Sequence, residues 1–210
     1  MTDHDTPGDA TPPPPVTPTR GRPFSHHTEQ AILDATTALL AERPLSDIAL
    51  DDIATRARVS KASIYRRWPS KGTLAFDAFM ADFLDRQPLP DTGRLDDDLR
   101  AALQNWVHTV GATTAGRTLR GLIAEVQRDP EMADPWRERF IAPVRARQRI
   151  MTDRAITRGD LPPDADTDLI LDLLYGPAYH RLLHGHLPLD DAFITGIVNT
   201  IRAAVEAGVF

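Results

Sequence analysis

The stretch that most restricts this chain runs from Ile48 to Lys71, I-A-L-D-D-I-A-T-R-A-R-V-S-K-A-S-I-Y-R-R-W-P-S-K. Leu50, Ile53, Ala54 and Ala57 fall at i, i+3, i+4 and i+7, one apolar face of a helix about two turns long. Arg58-Val59-Ser60 follows as a tight turn, and the Ser60 hydroxyl can accept from an orphan N–H in the first turn of a second helix. In that second helix Ile64 and Trp68 stand four apart and face inward, which leaves Lys61, Ser63, Tyr65 and Arg66 facing out. A short buried helix, a tight turn and a second helix presenting cations and hydroxyls is the pattern of a helix-turn-helix, whose second helix enters the major groove of DNA.

The net charge of −6 would oppose a polyanionic partner if it were spread evenly. It is not. Residues 1–19 carry three acids and no Lys or Arg, residues 20–72 carry nine cations and six acids, and the remainder is therefore net −6. A basic module beside an acidic one suits a nucleic-acid-binding segment attached to a body that stays off the DNA. The chain has 210 residues, 41% of them apolar, and no apolar run near the roughly 20 residues of a membrane span. The acidic, Pro-rich start lacks the apolar region of a secretory signal, and zero cysteines exclude a disulfide framework or thiolate chemistry. A soluble cytoplasmic protein without a membrane partner is expected.

In chain order, Pro7, the four prolines at 12–15 and Pro18 mark a tail with too little apolar content to order itself. It ends in Arg20-Gly21-Arg22-Pro23. Arg20 and Arg22 fit a narrow minor groove, where the negative potential is strongest; the same run also reads as the basic end of a linker. A first helix is expected over Ser25–Glu42, with Ile32, Ala35 and Leu39 inward and Pro44 as its stop. Ser70 can cap a fourth helix, Lys71 to Arg86, carrying Leu74, Phe76, Phe79, Met80 and Phe83. Gln87-Pro88-Leu89-Pro90 then breaks the chain. The organisation expected is a tail at 1–23, a DNA-binding head at 24–85 and a ligand-binding and dimerisation body at 86–210.

The body reads as all helix, without sustained period-2 alternation. Leu95, Leu99, Leu103, Trp106, Val107 and Val110 share one stripe, and Leu119, Leu122, Ile123 and Val126 repeat it after Gly116. Asp129-Pro130 and Asp134-Pro135 are cap-then-proline starts. A long helix then runs to Arg158 and Gly159, with Pro143 expected to kink it. Asp166 to His184 forms the next helix. Asp190 caps the last, whose stripe is Phe193, Ile194, Ile197, Val198, Ile201 and Val205. The fold class expected is all-α, about nine helices, with no internal repeat.

These features together resemble the TetR family of bacterial transcriptional regulators. The match lies over residues 24–84: Ile53-Ala54 in the first motif helix, Ala57-Arg58-Val59-Ser60 across the turn, then Tyr65, Trp68 and Ser70-Lys71. The nine-helix layout with two apolar helices at the end is also similar. Two positions depart from the family pattern. Arg58 stands where a Gly is frequent, so the turn either holds a non-Gly residue in the left-handed region or takes another geometry. Ala49 stands where Ser or Thr usually caps, which weakens that helix start by about 1 kcal/mol.

The resemblance implies that Lys61, Ala62, Ser63 and Arg66 meet base edges, with Arg able to bond guanine twice and Ala to touch a thymine methyl. It implies phosphate contacts for Tyr65 and Lys71, and Arg58 places a further charge near the DNA. Arg67 reads as a solvated charge and Trp68 as core. The family also implies an effector pocket, mostly apolar with a few polar anchors, for which Trp106, His108, Arg120, Glu125, Trp136, Phe140, Tyr175 and Tyr179 are candidates. The last two helices would pair across a two-fold axis through Leu169, Leu173, Leu182, Phe193, Ile197 and Ile201. His180 and His184, at i and i+4 with His186 beyond, invite a metal. However, position 181 is Arg instead of the Glu of H-E-x-x-H, and no Cys or carboxylate is near. They read instead as exposed at a helix end or close to a dimer interface. No cofactor is expected.

The leading reading is a ligand-responsive, homodimeric DNA-binding regulator acting as a repressor on a palindromic operator. Two other readings compete with it. A helical enzyme would need a catalytic constellation, and the chain has no G-x-S-x-G, Gly-rich phosphate loop, metal-spaced carboxylates or cysteine. An architectural minor-groove protein would depend on Arg20–Pro23.

Overall fold

The structure is a computed structural model that describes residues 26–210. The tail and Arg20 and Arg22 lie outside the described residues. Among those described there is no strand, and nine helices form. They are α1 (His26–Glu42), α2 (Leu50–Ala57), α3 (Lys61–Tyr65), α4 (Lys71–Asp85), α5 (Leu95–Val110), α6 (Thr114–Arg128), a compound α7, α8 (Thr167–His184) and α9 (Asp191–Glu206). In α7, Ala133–Trp136, a π turn at Arg137–Ile141 and Ala142–Arg158 run on as one helix. Short 3₁₀ turns at Leu45–Asp47 and Pro130–Met132 precede α2 and α7.

Helix ends sit where side chains can satisfy the orphan backbone groups. Ser60, Ser70, Asp166 and Asp190 each accept from an N–H three residues on. Gly159 ends α7 at φ 84°, a conformation that suits a residue without Cβ. Pro143 lies inside the compound helix α7 without ending it. Its missing N–H falls just after the π turn, where the Ala142 N–H bonds to the Arg137 carbonyl five residues back. Asp134 departs from expectation, lying inside the first turn of α7 instead of capping it.

Packing makes two units. In the head, α1 lies against α2 and α4, and Ile32, Ile48, Ile53, Ile64, Trp68 and Leu74 are all essentially inaccessible. In the body, α9 covers α5 and α8, while α6 reaches back to α1 and α4. Gly116 makes the α5–α6 corner possible: a Cβ there would stand 1.8 Å from the Val110 carbonyl oxygen. Helix α4 belongs to both units and is their main connection.

Candidate nucleic-acid interface

The turn between α2 and α3 holds Arg58 at φ 56°, ψ 44°, so a non-Gly residue does adopt the left-handed conformation. Two backbone bonds lock it, Arg58 N–H to the Thr55 carbonyl at 3.2 Å and Val59 N–H to the Ala54 carbonyl at 3.0 Å. Ser60 then accepts from the Ser63 N–H at 3.2 Å, which starts α3. At the other end of α2 the hydroxyl missing from Ala49 is partly replaced. The Asp52 carboxylate reaches back to the Ala49 N–H at 3.0 Å and holds Arg43 at 2.6 Å.

Helix α3 is thereby sorted into two faces. Ile64 and the following Trp68 are buried at 1% exposure each. Lys61, Ala62, Tyr65, Arg66 and the turn residue Arg58 are exposed, with Ser63 half-buried among them. Tyr65 is 55% exposed. Lys61 leans on Asp51 at 2.9 Å, which raises its pKa through the Asp51 hydrogen bond and keeps it charged. Arg66 donates to Ser63 at 3.4 Å. This surface is cationic and hydroxyl-bearing on a rigid, capped base, as groove reading requires.

Two head residues have partners the sequence did not suggest. The Lys71 ammonium is half-buried and donates to the carbonyls of Leu45 and Ile48, both at 2.7 Å. Two of its three N–H groups thus clamp the α1–α2 connection onto the start of α4. Arg67 is not simply solvated, since it pairs with Glu29 of α1 at 2.8 Å. Sequence reasoning missed a connection that begins at Trp68. Its indole N–H donates to Asp77 of α4 at 2.8 Å, and the same carboxylate oxygen accepts from Arg139 of α7 at 2.6 Å. The end of the reading segment is thus hydrogen-bonded through α4 to the body.

The candidate effector residues do not converge on one open pocket. Trp106 packs on Tyr179 and Tyr175, with ring centroids at 5.0 and 6.4 Å. Trp136 stacks on Phe140 at 4.2 Å, and Phe140 meets Phe79 and Phe83. Trp106, Phe140 and Tyr175 are core, and Trp136 and Tyr179 pack half-buried against it, with rings too close to leave room between them. Beside Trp106 and Tyr175 only about 30 Å³ remains, space for a water. Burial pushes the Tyr179 hydroxyl up to about 12 and raises Tyr175 as well, so both stay neutral. Arg120 and Glu125 are half-buried on α6, and Glu125 pairs with Arg128. Only His108 borders a larger space, a cleft of about 500 Å³ between α1, α4, α5 and α6.

The expected pairing surface is also redrawn. Leu182 and Ile201 are buried within the chain; they are core, because α9 packs against α5 and α8. Phe193 and Ile197 are half-buried, with the Arg181 guanidinium 4.0 Å above the Phe193 ring. Leu169 and Leu173 do stand out on α8, joined by Leu183 and Leu187, which sequence reasoning had not singled out. The three histidines gather because Gly185, at φ 62°, turns the chain back. His180 lies 4.6 Å from His184 and 5.0 Å from His186 between ring centroids, and all three are exposed. Among the described residues no group of three or more His or carboxylate side chains is arranged to hold a metal. No described helix is long and apolar enough to cross a membrane.

Comparison with known proteins gives the same picture over both units. A family model described as bacterial regulatory proteins, tetR family, matches residues 32–78. A second, described as Tetracyclin repressor-like, C-terminal domain, matches residues 89–201. An uncharacterized HTH-type transcriptional regulator of Bacillus subtilis (strain 168), YdeS, is 34% identical over 188 residues, covering 90% of this chain and 94% of its own. The DNA-binding transcriptional repressor TetR of Mycobacteroides abscessus is 32% identical over 81% of this chain and 90% of its own. Among solved structures, the TetR family transcription regulator SCO0332 superposes with a TM-score of 0.77 at 34% identity, over 86% of this chain and 99% of its own.

Proposed function

Since the chain belongs to the TetR family of helix-turn-helix transcriptional regulators, we propose that it works as an effector-responsive repressor that binds a two-fold-symmetric operator as a homodimer. The observation that carries this reading is α3: a five-residue helix, fixed by Ile64 and Trp68 from below, that turns Lys61, Ala62, Tyr65 and Arg66 to solvent. Lys61, Ala62, Ser63 and Arg66 meet base edges, Tyr65 and Arg58 meet phosphates, and Lys71 supports them from behind. The Arg20–Pro23 arm adds a minor-groove grip, so deleting residues 1–23 lowers affinity without abolishing it.

Pairing is supported by exposed apolar residues on the body. Leu169, Leu173 and Leu183 recur along α8 with Leu187 in the loop just beyond it, and Gly196, Thr200 and Ala203 leave a low-relief exposed face on α9. Two copies joined there form a four-helix bundle that carries two heads, and the operator mirrors that symmetry. A regulator of chromosomal DNA acts in the cytoplasm. The test is selection of bound DNA from a random pool by the full chain. Enrichment of two inverted half-sites is expected, and retention of DNA without sequence preference would defeat the reading.

A further inference from the structure

We propose that the junction between head and body is itself an effector site: the cleft between α1 and α4 on one side and α5 and α6 on the other takes an apolar-bodied small molecule that carries N–H or O–H donors. The inference rests on the effector-responsive reading above and gives it a place and a chemistry.

The place follows from two unlike seams. Along α4–α7 the head is packed shut against the body. Gly72 has room only because it lacks a side chain: a Cβ there would stand 2.8 Å from Met132 Cε. Phe76 meets the Trp136 ring edge-on at 5.3 Å, and Asp77 joins Trp68 to Arg139. On the opposite side the seam is held by a longer bond, from the Thr118 hydroxyl to the Leu40 carbonyl at 3.3 Å, and the Thr109 oxygen comes only to 3.4 Å from the Arg86 carbonyl. Around them lie the cleft of about 500 Å³ and a second of about 280 Å³ beneath Pro44 and Leu45. Helix α4 is fixed along one edge and has open space along the other. A molecule wedged into the gap changes the angle of the α1–α4 pair, and with it α3, relative to the body. Binding and head position are then linked, because the wedge fits one angle better than another.

The chemistry follows from where the protons point. The cleft falls in the size range of small-molecule sites, and Leu40, Phe79 and Ala115 give it an apolar lining. Five threonines also line it, and four of them already donate their hydroxyl proton to a main-chain carbonyl: Thr37 to Ala78, Thr109 to Asn105, Thr113 to Thr109 and Thr118 to Leu40, while Thr114 accepts from Arg117. A hydroxyl that has given its one proton can only accept. Asp82 takes Arg86 on Oδ1, at 2.9 and 2.8 Å, and its Oδ2 has no protein partner among the described residues. Apart from Thr114 and His108, which keep a proton to give, the wall is thus rich in acceptors, and the Arg86 guanidinium that would draw an anion is folded onto Asp82. A donor-bearing molecule matches this wall and a carboxylate does not.

The absence of cysteine allows a direct test on the full chain. Ala115→Cys, on the cleft wall, is labelled with ring-sized bimane or, separately, with a small methylthio group; Gln127→Cys, exposed elsewhere on α6, is the control. Anisotropy on the selected DNA is expected to show bimane at position 115 weakening binding about tenfold or more. The methylthio group should do less, and neither adduct at position 127 should matter. Equal binding with and without bimane would overturn the proposal, as would a methylthio effect as large as that of bimane, which would signify local disruption. Failure of the unlabelled chain to prefer any DNA sequence would instead defeat the regulator reading itself. For the chemistry, benzylamine and catechol are expected to give saturation-transfer signals with the unlabelled protein that vanish in bimane-labelled Ala115→Cys, and benzoate none. Benzoate binding in their place, signals that survive the label, or none from either donor would overturn the assignment.

Discussion

Head and body solve opposite problems with the same kind of helix. In the head the residues proposed for the major groove are close in sequence, all within Arg58–Arg66, and mostly polar and exposed, and the buried Ile64 between them holds that surface still. In the body the residues that look functional, Trp106, Trp136, Phe140 and Tyr175, turn inward and pack on one another, and the usable space is left where helices fail to meet. The difference teaches that a reading surface is built from residues, whereas an effector cavity is built from gaps. The first can be named from a sequence; the second depends on how far apart packed elements stand.

That contrast can be strained in several places. The largest effect is expected from Leu173→Glu on the exposed face of α8. It leaves the head intact, yet a lost two-fold pairing removes the second head, and operator affinity falls about 10²- to 10⁴-fold. Sedimentation should show the mass halve in parallel; a dimer that persists with full binding would move the pairing surface elsewhere. Next, Trp68→Ala removes a ring at 1% exposure and the partner of Asp77. Urea denaturation should show a loss of about 3–5 kcal/mol, with DNA binding failing before the body's helical signal. A simultaneous loss of both would show head and body to be one cooperative unit. Tyr65→Phe should weaken every DNA sequence alike by about 1 kcal/mol in titrations, because a phosphate contact carries no base information. Smallest is Arg58→Gly, which relieves the left-handed strain and stabilises the fold by up to about 1 kcal/mol while weakening DNA binding. A denaturation midpoint that falls would mean the Arg58 side chain supports the turn.

How much of this could be read from the chain follows the same division. The caps at Ser60, Ser70 and Asp190 and the stop at Gly159 were legible because each depends on chemistry within a few residues of the helix end. Trp68 was legible as core from its spacing to Ile64. Lys71 was not, since its partners are the carbonyls of Leu45 and Ile48, more than twenty residues back. The split of the last two helices failed for a related reason. Leu182 and Ile201 share the apolar character of Leu169 and Leu173, and only the packing of α9 against α5 and α8 decides which are inside. The Asp77 link to Trp68 and Arg139 left no trace in periodicity at all, because an acid on a helix face reads as solvated until its partners arrive from elsewhere.

The central claim is that α3 reads DNA and that Arg66 reads one base pair of it. Repeating the random-pool selection with Arg66→Ala tests this directly. The expected result is the same inverted site with one position per half-site made degenerate, a loss of about 1–3 kcal/mol of discrimination there. An unchanged site, or one lost at every position, would contradict it.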